Sequence, residues 1–376
     1  MAKDILFLTP YNIFPPFWGG GTRTYNLIKH LSKDNNVHLV MPSYRQFKDK
    51  KGLKYRKKLK EIGVDYEIVG PGTSWIQYIN PLLFFKALRK ASKEDIDVVI
   101  CDYPWSGFYT LALQKIIKKP FFLMEHNVEY EVAKQTGYED PRLTKILENK
   151  VCEKATKIFC VSDIDKKKIQ EDFRIRSDKI DVLNNGFDSE RFNMEDGDGK
   201  KIRKKLGIGD DPLVFFCGKM DYTPNSEAVG FIYHEIMPRV LDEVPDAKFL
   251  VVGGGYEVEY GHESMISVGV VDRLVDYLRA SDLVITPLRR GGGTRIKILE
   301  AIACGKDIIS TPKGAEGLYN EYTKPFINIE KEWEDFADAI VKNLKDGGDP
   351  EPRKEFFEEY AWKNIYKGID PYLKAI

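Results

Sequence analysis

Three consecutive glycines, Gly291 to Gly293, stand between a β-branched run, Asp282 to Leu288, and a helical pattern from Thr294 to Cys304; a second strand-like run follows at Asp307 to Thr311. Thr294 reads as the N-cap, and Ile296, Leu299, Ile302 and Ala303 recur at helical spacing, so one face of the helix packs on a sheet. Arg295 and Lys297 then fall in the first turn, where cations oppose the helix dipole at a cost of about 0.3–1 kcal/mol each. A bound anion offsets that cost. Glycine amides, the dipole and two cations suit a phosphate or diphosphate; the bland alternative is a solvated basic helix start. The same letters, GGGTR, occur at Gly19 to Arg23 after the first strand. There Gly20 and Gly21 let backbone approach a ligand closely, and Arg23 lies in the first turn of a helix from about Thr22 to Leu31. Two such helices facing each other could hold one ligand between them.

The elements that must position these loops alternate along the chain. Apolar runs at Ile5–Thr9, Val37–Met41, Tyr66–Val69, Val98–Cys101, Phe121–Met124, Ile158–Val161 and Asp181–Leu183 are separated by helical or polar segments. A second series follows at Leu213–Cys217, 248–252, 266–271, Asp282–Leu288, Asp307–Thr311 and Phe326–Ile329, with helices near 225–243, 331–345 and 352–374. Repeated strand and helix units predict α/β architecture with mostly parallel, doubly wound sheets, whose ligands bind beyond the carboxyl ends of the strands. The polar stretch Asn193 to Lys201 reads as the linker between two domains.

Composition narrows the function classes. The chain has 376 residues, enough for two domains, and 58 Lys plus Arg against 58 Asp plus Glu, a balance that points to no nucleic-acid partner. Its five cysteines lie mostly inside apolar runs without a CxxC pair and read as small core residues. The five histidines show no metal-ligand spacing, so no metal site is expected. The N-terminus enters a strand without a cleavage site and no window reaches 18 uninterrupted apolar residues, which predicts a cytoplasmic protein without a membrane span. Between residues 45 and 60, nine positions are Lys or Arg against Asp49 alone. That patch is either a solvated face or a peripheral contact with anionic lipid on the cytoplasmic membrane face. The nearby Trp75, Ile76, Tyr78, Leu82, Leu83, Phe84 and Phe85 are expected to be mostly core.

Taken in order, GGGTR after the first strand, EHNVE at 125–129, VSDID at 161–165, NNGFDSERF at 184–192, GKMDYTPNSEAV at 218–229, VVGGG at 251–255 and GGGTRIKILEAIACGKDIISTPKGAEGL at 291–318 resemble the retaining GT-B glycosyltransferases, of the group 1 and family 4 type. The resemblance spans nearly the whole chain. It implies two doubly wound Rossmann-like domains facing across a cleft: an acceptor-side domain at 1–190, a donor domain at 191–357, and a C-terminal helix, about 358–376, packing back on the first. It further implies a metal-independent, hexosyltransferase-type enzyme with no cofactor beyond its co-substrate, a UDP- or GDP-sugar. The acceptor would be a glycan or glycolipid of cell-envelope polysaccharide or glycolipid synthesis.

Residue roles carry over by position. Glu300 matches the glutamate that receives the donor ribose hydroxyls, His126 the histidine near the donor sugar, Lys219 a cation that neutralises the diphosphate, and Val270 and Val271 the segment whose backbone reads the base. Gly20, Gly21, Gly293 and Thr294 belong to the donor-binding loops. Two positions depart from the pattern. Gly292 stands where a glutamate would contact the sugar hydroxyls, and no cation occupies the Pro224–Asn225 position of the second diphosphate contact. Arg295 and Lys297 are the expected replacements, through charge-assisted contacts. Two rival readings share the pocket: a non-catalytic nucleotide-sugar-binding partner or sensor, and a GT-B-fold sugar-nucleotide epimerase.

Overall fold

A computed structural model describes residues 2–14, 16, 18–42, 57–70, 80–193, 195, 197–255, 261–348 and 350–376. The chain divides into two compact units, Met1–Asn184 with Ile365–Ile376, and Asn185–Asn364.

Among the described residues the first unit holds seven strands: β1 (Asp4–Leu8), β2 (Asn36–Pro42), β3 (Asp65–Val69), β4 (Val98–Asp102), β5 (Phe121–Met124), β6 (Lys157–Cys160) and β7 (Ile180–Val182). All pair in parallel, in the order β3-β2-β1-β4-β5-β6-β7. Both faces are covered, which is why the strands read as continuous apolar runs. Leu6 and Leu8 of β1 pack with Leu83, Tyr109, Leu113 and Val151 from the helices Pro81–Lys93, Gly107–Ile117 and Pro141–Lys154. On the other face, Phe122 and Phe159 meet Tyr372, with ring centroids 6.4 and 5.5 Å away.

The second unit holds β8 (Leu213–Cys217), β9 (Lys248–Val252), β10 (Met265–Val268), β11 (Leu283–Thr286), β12 (Asp307–Ser310) and β13 (Ile327–Ile329), again all parallel, in the order β10-β9-β8-β11-β12-β13. Phe215, Cys217 and Val284 face Ile298, Leu299 and Ile302 of the helix Ile296–Ala303. Val214, Phe216 and Ile285 face the opposite layer, Val229 to Val240 and Phe336 to Ile340. That layer includes one helix from Thr223 to Glu243 whose turn widens at Ile232–Ile236. Pro238 lies just beyond and lacks the N–H that a regular turn would use there. All five cysteines are buried and outside any disulfide, as their apolar settings predict.

Several expectations need correction. The helix expected from Thr22 starts at Gly19, so the first glycines form its first turn. Arg23, expected to face an anion, is 1% exposed and donates to the carbonyls of Leu183 (2.7 Å) and Asn184 (2.9 Å). The chain divides after Asn184, ahead of 190. The polar stretch Asn193–Lys201 is no linker: Gly199 opens a helix, Gly199–Leu206, and approaches so close that a Cβ there would meet the Arg279 carbonyl oxygen at 2.5 Å. The segment 352–374 is not one helix. Its first part, Lys354–Tyr360, belongs to the second unit, where the Phe187 N–H donates to Tyr360 O and the Trp362 N–H to Phe187 O. The return to the first unit begins at Ile365. Of the aromatic run, Leu83 is buried and Phe84 half-buried, but Leu82 and Phe85 are exposed; Trp75, Ile76 and Tyr78 lie outside the described residues. So does 45–56 of the basic stretch, while Lys57, Lys58 and Lys60 are exposed.

Replacing Arg23 by Met keeps the apolar stem and removes both donors from two carbonyls. Unfolding by urea should show a loss of about 2–4 kcal/mol; an unchanged midpoint would mean that these bonds do not hold the unit together.

Candidate active site

In each unit the sheet order reverses beside its first strand, between β1 and β4 and between β8 and β11, and the candidate residues cluster just past the carboxyl ends of these strands. In the first unit β4 delivers Asp102 and Tyr103, and β5 delivers Glu125 and His126. His126 is 5% exposed; its Nε2 lies 2.7 Å from Asp102 Oδ1, and Asp102 Oδ2 accepts from the Thr24 hydroxyl at 2.9 Å. The Tyr103 ring lies flat on the imidazole, 3.7 Å away at 2°. Tyr103 takes φ 61°, ψ 152°, a conformation L-residues rarely adopt, and its N–H donates to Met124 O. Gly20 is required here: a Cβ would sit 2.0 Å from the Tyr103 hydroxyl and 2.3 Å from Trp18. Burial lowers the His126 pKa, against the attraction of Asp102 and with repulsion from Arg23, so the ring is neutral near pH 7.

The segment after His126 is fixed by a buried carboxyl. Glu148 accepts from the N–H groups of Glu129 (2.7 Å) and Tyr130 (2.9 Å) at the start of the helix Glu129–Thr136. Burial raises Glu125 and Glu148 well above the carboxylate range, and raises Glu129 to about 7.

In the second unit β11 leads to the glycine loop, with Gly291 at φ 107° and Gly293 at φ 66°. A Cβ on Gly291 would stand 2.9 Å from the Tyr222 hydroxyl. The helix starts later than expected, at Ile296, with Arg295 as its N-cap; Thr294 is not the cap, and its buried Oγ1 has no partner among the described residues. Asn185 Nδ2 donates to the Thr294 carbonyl at 3.1 Å. The Arg295 guanidinium folds back onto the loop it was expected to charge, its Nη1 donating to Gly292 O and, at 2.9 Å, to Gly293 O. Lys297 reaches elsewhere. Its Nζ lies 3.3 Å from Asn225 Oδ1 and 4.3 Å above the Phe216 ring, beside the position where the expected second cation is missing. Burial lowers its pKa to about 8, helped by Arg295 and opposed by Cys217 and Glu300.

Glu300 stands one turn further along the helix, half-buried. Burial raises it to about 7, with Arg191 opposing and Asp188 adding to the shift. Lys219 is half-exposed and paired with Asp221 at 2.9 Å. Gly253 and Gly255, at φ 154° and 129°, let the turn after β9 lie against this segment: the Met220 N–H donates to Gly254 O, and a Cβ on Gly253 would overlap Gly218 O. Val270 is exposed and Val271 half-buried against the core. The structure thus gathers Lys219, Gly293, Thr294, Lys297 and Glu300 in the second unit, and Gly20, Gly21 and His126 in the first. The sequence reading missed Thr24, Asp102 and Tyr103, along with Asn185, Asp188 and Arg191. Only NNGFDSERF carried a signal for the last three. Among the described residues no group of His, Cys, Asp and Glu could hold a metal ion, and no helix is long and apolar enough to cross a membrane.

The family model for glycosyltransferase family 4 matches residues 18–191, and that for glycosyl transferases group 1 matches residues 211–346. The chain belongs to the glycosyltransferases of GT-B fold. Among its relatives is an uncharacterized glycosyltransferase of Methanocaldococcus jannaschii, MJ1069, 24% identical over an alignment covering 98% of this chain and 97% of the relative. Another is the Escherichia coli UDP-Gal:alpha-D-GlcNAc-diphosphoundecaprenol alpha-1,3-galactosyltransferase, 24% identical with 70% of this chain and 69% of the relative covered. Among solved structures, Anabaena Alr3699/HepE in complex with UDP and glucose superimposes with TM-score 0.77 at 15% identity, all of both chains covered.

The raised Glu300 pKa sets a stability window. From pH 4.5 to about 7 the unfolded chain releases this proton while the folded unit keeps it, so stability falls as pH rises, by about 2–3 kcal/mol across the window. Denaturant titrations over that range should show a shallower fall for Glu300→Gln; identical slopes for variant and wild type would refute the assignment.

Proposed function

We propose that the enzyme transfers a hexose from a nucleoside diphosphate sugar to an acceptor hydroxyl with retention of the anomeric configuration, without a metal ion. The observation that carries this reading is Lys297 Nζ beside Asn225, behind a glycine loop and one turn before Glu300. A cation at that point neutralises a diphosphate leaving group, and preorganised charge of this kind is a major source of catalysis. Lys219 supplies the second cation, its present partner Asp221 being on the surface and exchangeable for phosphate. Arg295 holds the Gly292–Gly293 carbonyls and so shapes the loop whose amides, with Gly293 and Thr294, receive the diphosphate. Glu300 accepts from the ribose hydroxyls, the 270–271 backbone lies along the base, and Gly20, Gly21 and His126 contribute from the first unit at the donor sugar. The departing phosphate oxygen takes the acceptor proton in a same-face attack, so no enzymic nucleophile is required.

The acceptor is a glycan or glycolipid of the cell envelope, and the Escherichia coli relative, whose name specifies a diphosphoundecaprenol-linked acceptor and a UDP-sugar donor, supports trying uridine donors and lipid-linked acceptors first. Peripheral contact with an anionic membrane from the cytoplasmic side belongs to the same reading. It is supported by the exposed Lys57, Lys58 and Lys60, and by Leu82 and Phe85 exposed on the helix that also carries Lys86 and Arg89.

Incubation with UDP-glucose, UDP-galactose or GDP-mannose should release nucleoside diphosphate only when an acceptor extract is added. The release should persist in EDTA, and proton couplings should show a retained anomeric centre in the product. Donor isomerisation alone would identify an epimerase, and tight binding without turnover a sensor. Lys297→Ala should lower kcat by about 10²-fold or more with little change in thermal stability; equal activity would remove Lys297 from the diphosphate site. Nucleotide affinity should be bell-shaped in pH, rising as Glu300 ionises near 7 and falling as Lys297 loses its proton near 8, a profile calorimetry would reveal. A flat profile from pH 6 to 9 would contradict both roles.

A further inference from the structure

The constellation around His126 contains more than the histidine. Both oxygens of Asp102 are engaged, one by Nε2 of His126 and the other by the Thr24 hydroxyl, so the carboxylate cannot swing away from the ring. A carboxylate only accepts hydrogen bonds, so the imidazole nitrogen facing it must carry the proton. The other nitrogen, Nδ1, is buried and has no partner among the described residues. Tyr103, stacked on the ring and locked in a backbone conformation with positive φ, prevents the rotation that would exchange the two nitrogens. Gly20 leaves the room that the Tyr103 hydroxyl end needs.

We propose that Asp102 is a positioning residue that holds His126 as the neutral Nε2–H tautomer, so that His126 serves the reaction as a fixed hydrogen-bond acceptor at Nδ1 for a substrate hydroxyl and does not move a proton. This rests on the reading of His126 as a sugar-side residue but goes further, since that reading leaves open which nitrogen acts and in which protonation state. The proton stays on Nε2 throughout the turnover. Thr24 belongs to the same device: its hydroxyl fixes the carboxylate plane. Neither residue needs to touch the substrate.

The test has two arms, one independent of turnover. With ¹⁵N-labelled histidine, long-range proton–nitrogen spectra at pH 7 separate the two neutral tautomers and the cation, and the signals of His126 are those lost in His126→Gln. The expected result is protonated Nε2 and bare Nδ1, with the ring staying neutral below the ordinary histidine range. In Asp102→Asn the amide can offer its NH₂ to Nε2, and the proton should appear partly or wholly on Nδ1. A wild-type ring protonated on Nδ1, or cationic at pH 7, would overturn the proposal. In the second arm, kcat of Asp102→Asn should fall about 10- to 100-fold with the donor KM within about threefold. Thr24→Val should show a smaller fall that Thr24→Ser reverses. Unchanged kcat in Asp102→Asn would likewise overturn the proposal, and if that variant does not fold, Thr24→Val and Thr24→Ser carry the kinetic arm. Should wild type release no nucleotide from UDP-glucose, UDP-galactose or GDP-mannose with any acceptor extract, the transferase reading fails while the spectra still decide the tautomer.

Discussion

Arg23 secures both places where the chain enters or leaves the first unit, the departure through its buried guanidinium and the return through its backbone carbonyl. Arg23 donates to the carbonyls of Leu183 and Asn184, where the chain departs, and its own carbonyl accepts from the Tyr366 hydroxyl, just after it returns. Burying a cation is expensive unless it is well bonded, and the two carbonyls satisfy donors that water would otherwise hold. The same residue lowers the affinity of His126 for a proton. The chain's exit and the site's electrostatics are thereby coupled through one side chain, which is a reason for arginine, with several donors in a rigid fork, at a position a leucine could fill by volume.

Both units hold buried titratable groups. In the first, Asp102 is matched by Thr24 and His126, while burial raises Glu148, which accepts from helix-start amides, well above the carboxylate range and Glu129 to about 7. In the second, burial leaves Lys297 and Glu300 titrating at about 8 and about 7, close to physiological pH. Such groups are costly to keep in the unliganded fold and gain most from a ligand that supplies the opposite charge or a hydrogen-bond donor, and perturbed groups of this kind concentrate at functional sites.

Much of the fold was legible because parallel strands covered on both faces must be apolar throughout, and the runs at Phe121–Met124, Leu213–Cys217 and 248–252 coincide with observed strands. Helix ends were less legible. Thr294 has the right side chain for a cap, yet the backbone turns helical only after Arg295, because Gly293 in the left-handed region sets the entry. The break of the last helical stretch near Ala361 was invisible in its pattern, since it follows from pairing between Phe187 and residues around Tyr360 that are remote in sequence.

Sequence alone determined the α/β class, the glycine loops at strand ends, the family and the chemical types at hand: cations after one glycine loop, a glutamate further along that helix, a histidine after β5. These depend on local periodicity and on residue identity, which the chain carries directly. Tertiary structure alone decided which groups act on one another. It turned Arg23 from an anion ligand into a clamp, folded Arg295 onto its own loop, sent Lys297 to Asn225, and set Asp102 and Tyr103 against His126, some 24 residues away in sequence. Burial, field and tautomer belong to the assembled surroundings of a side chain, and no spacing along the chain encodes them.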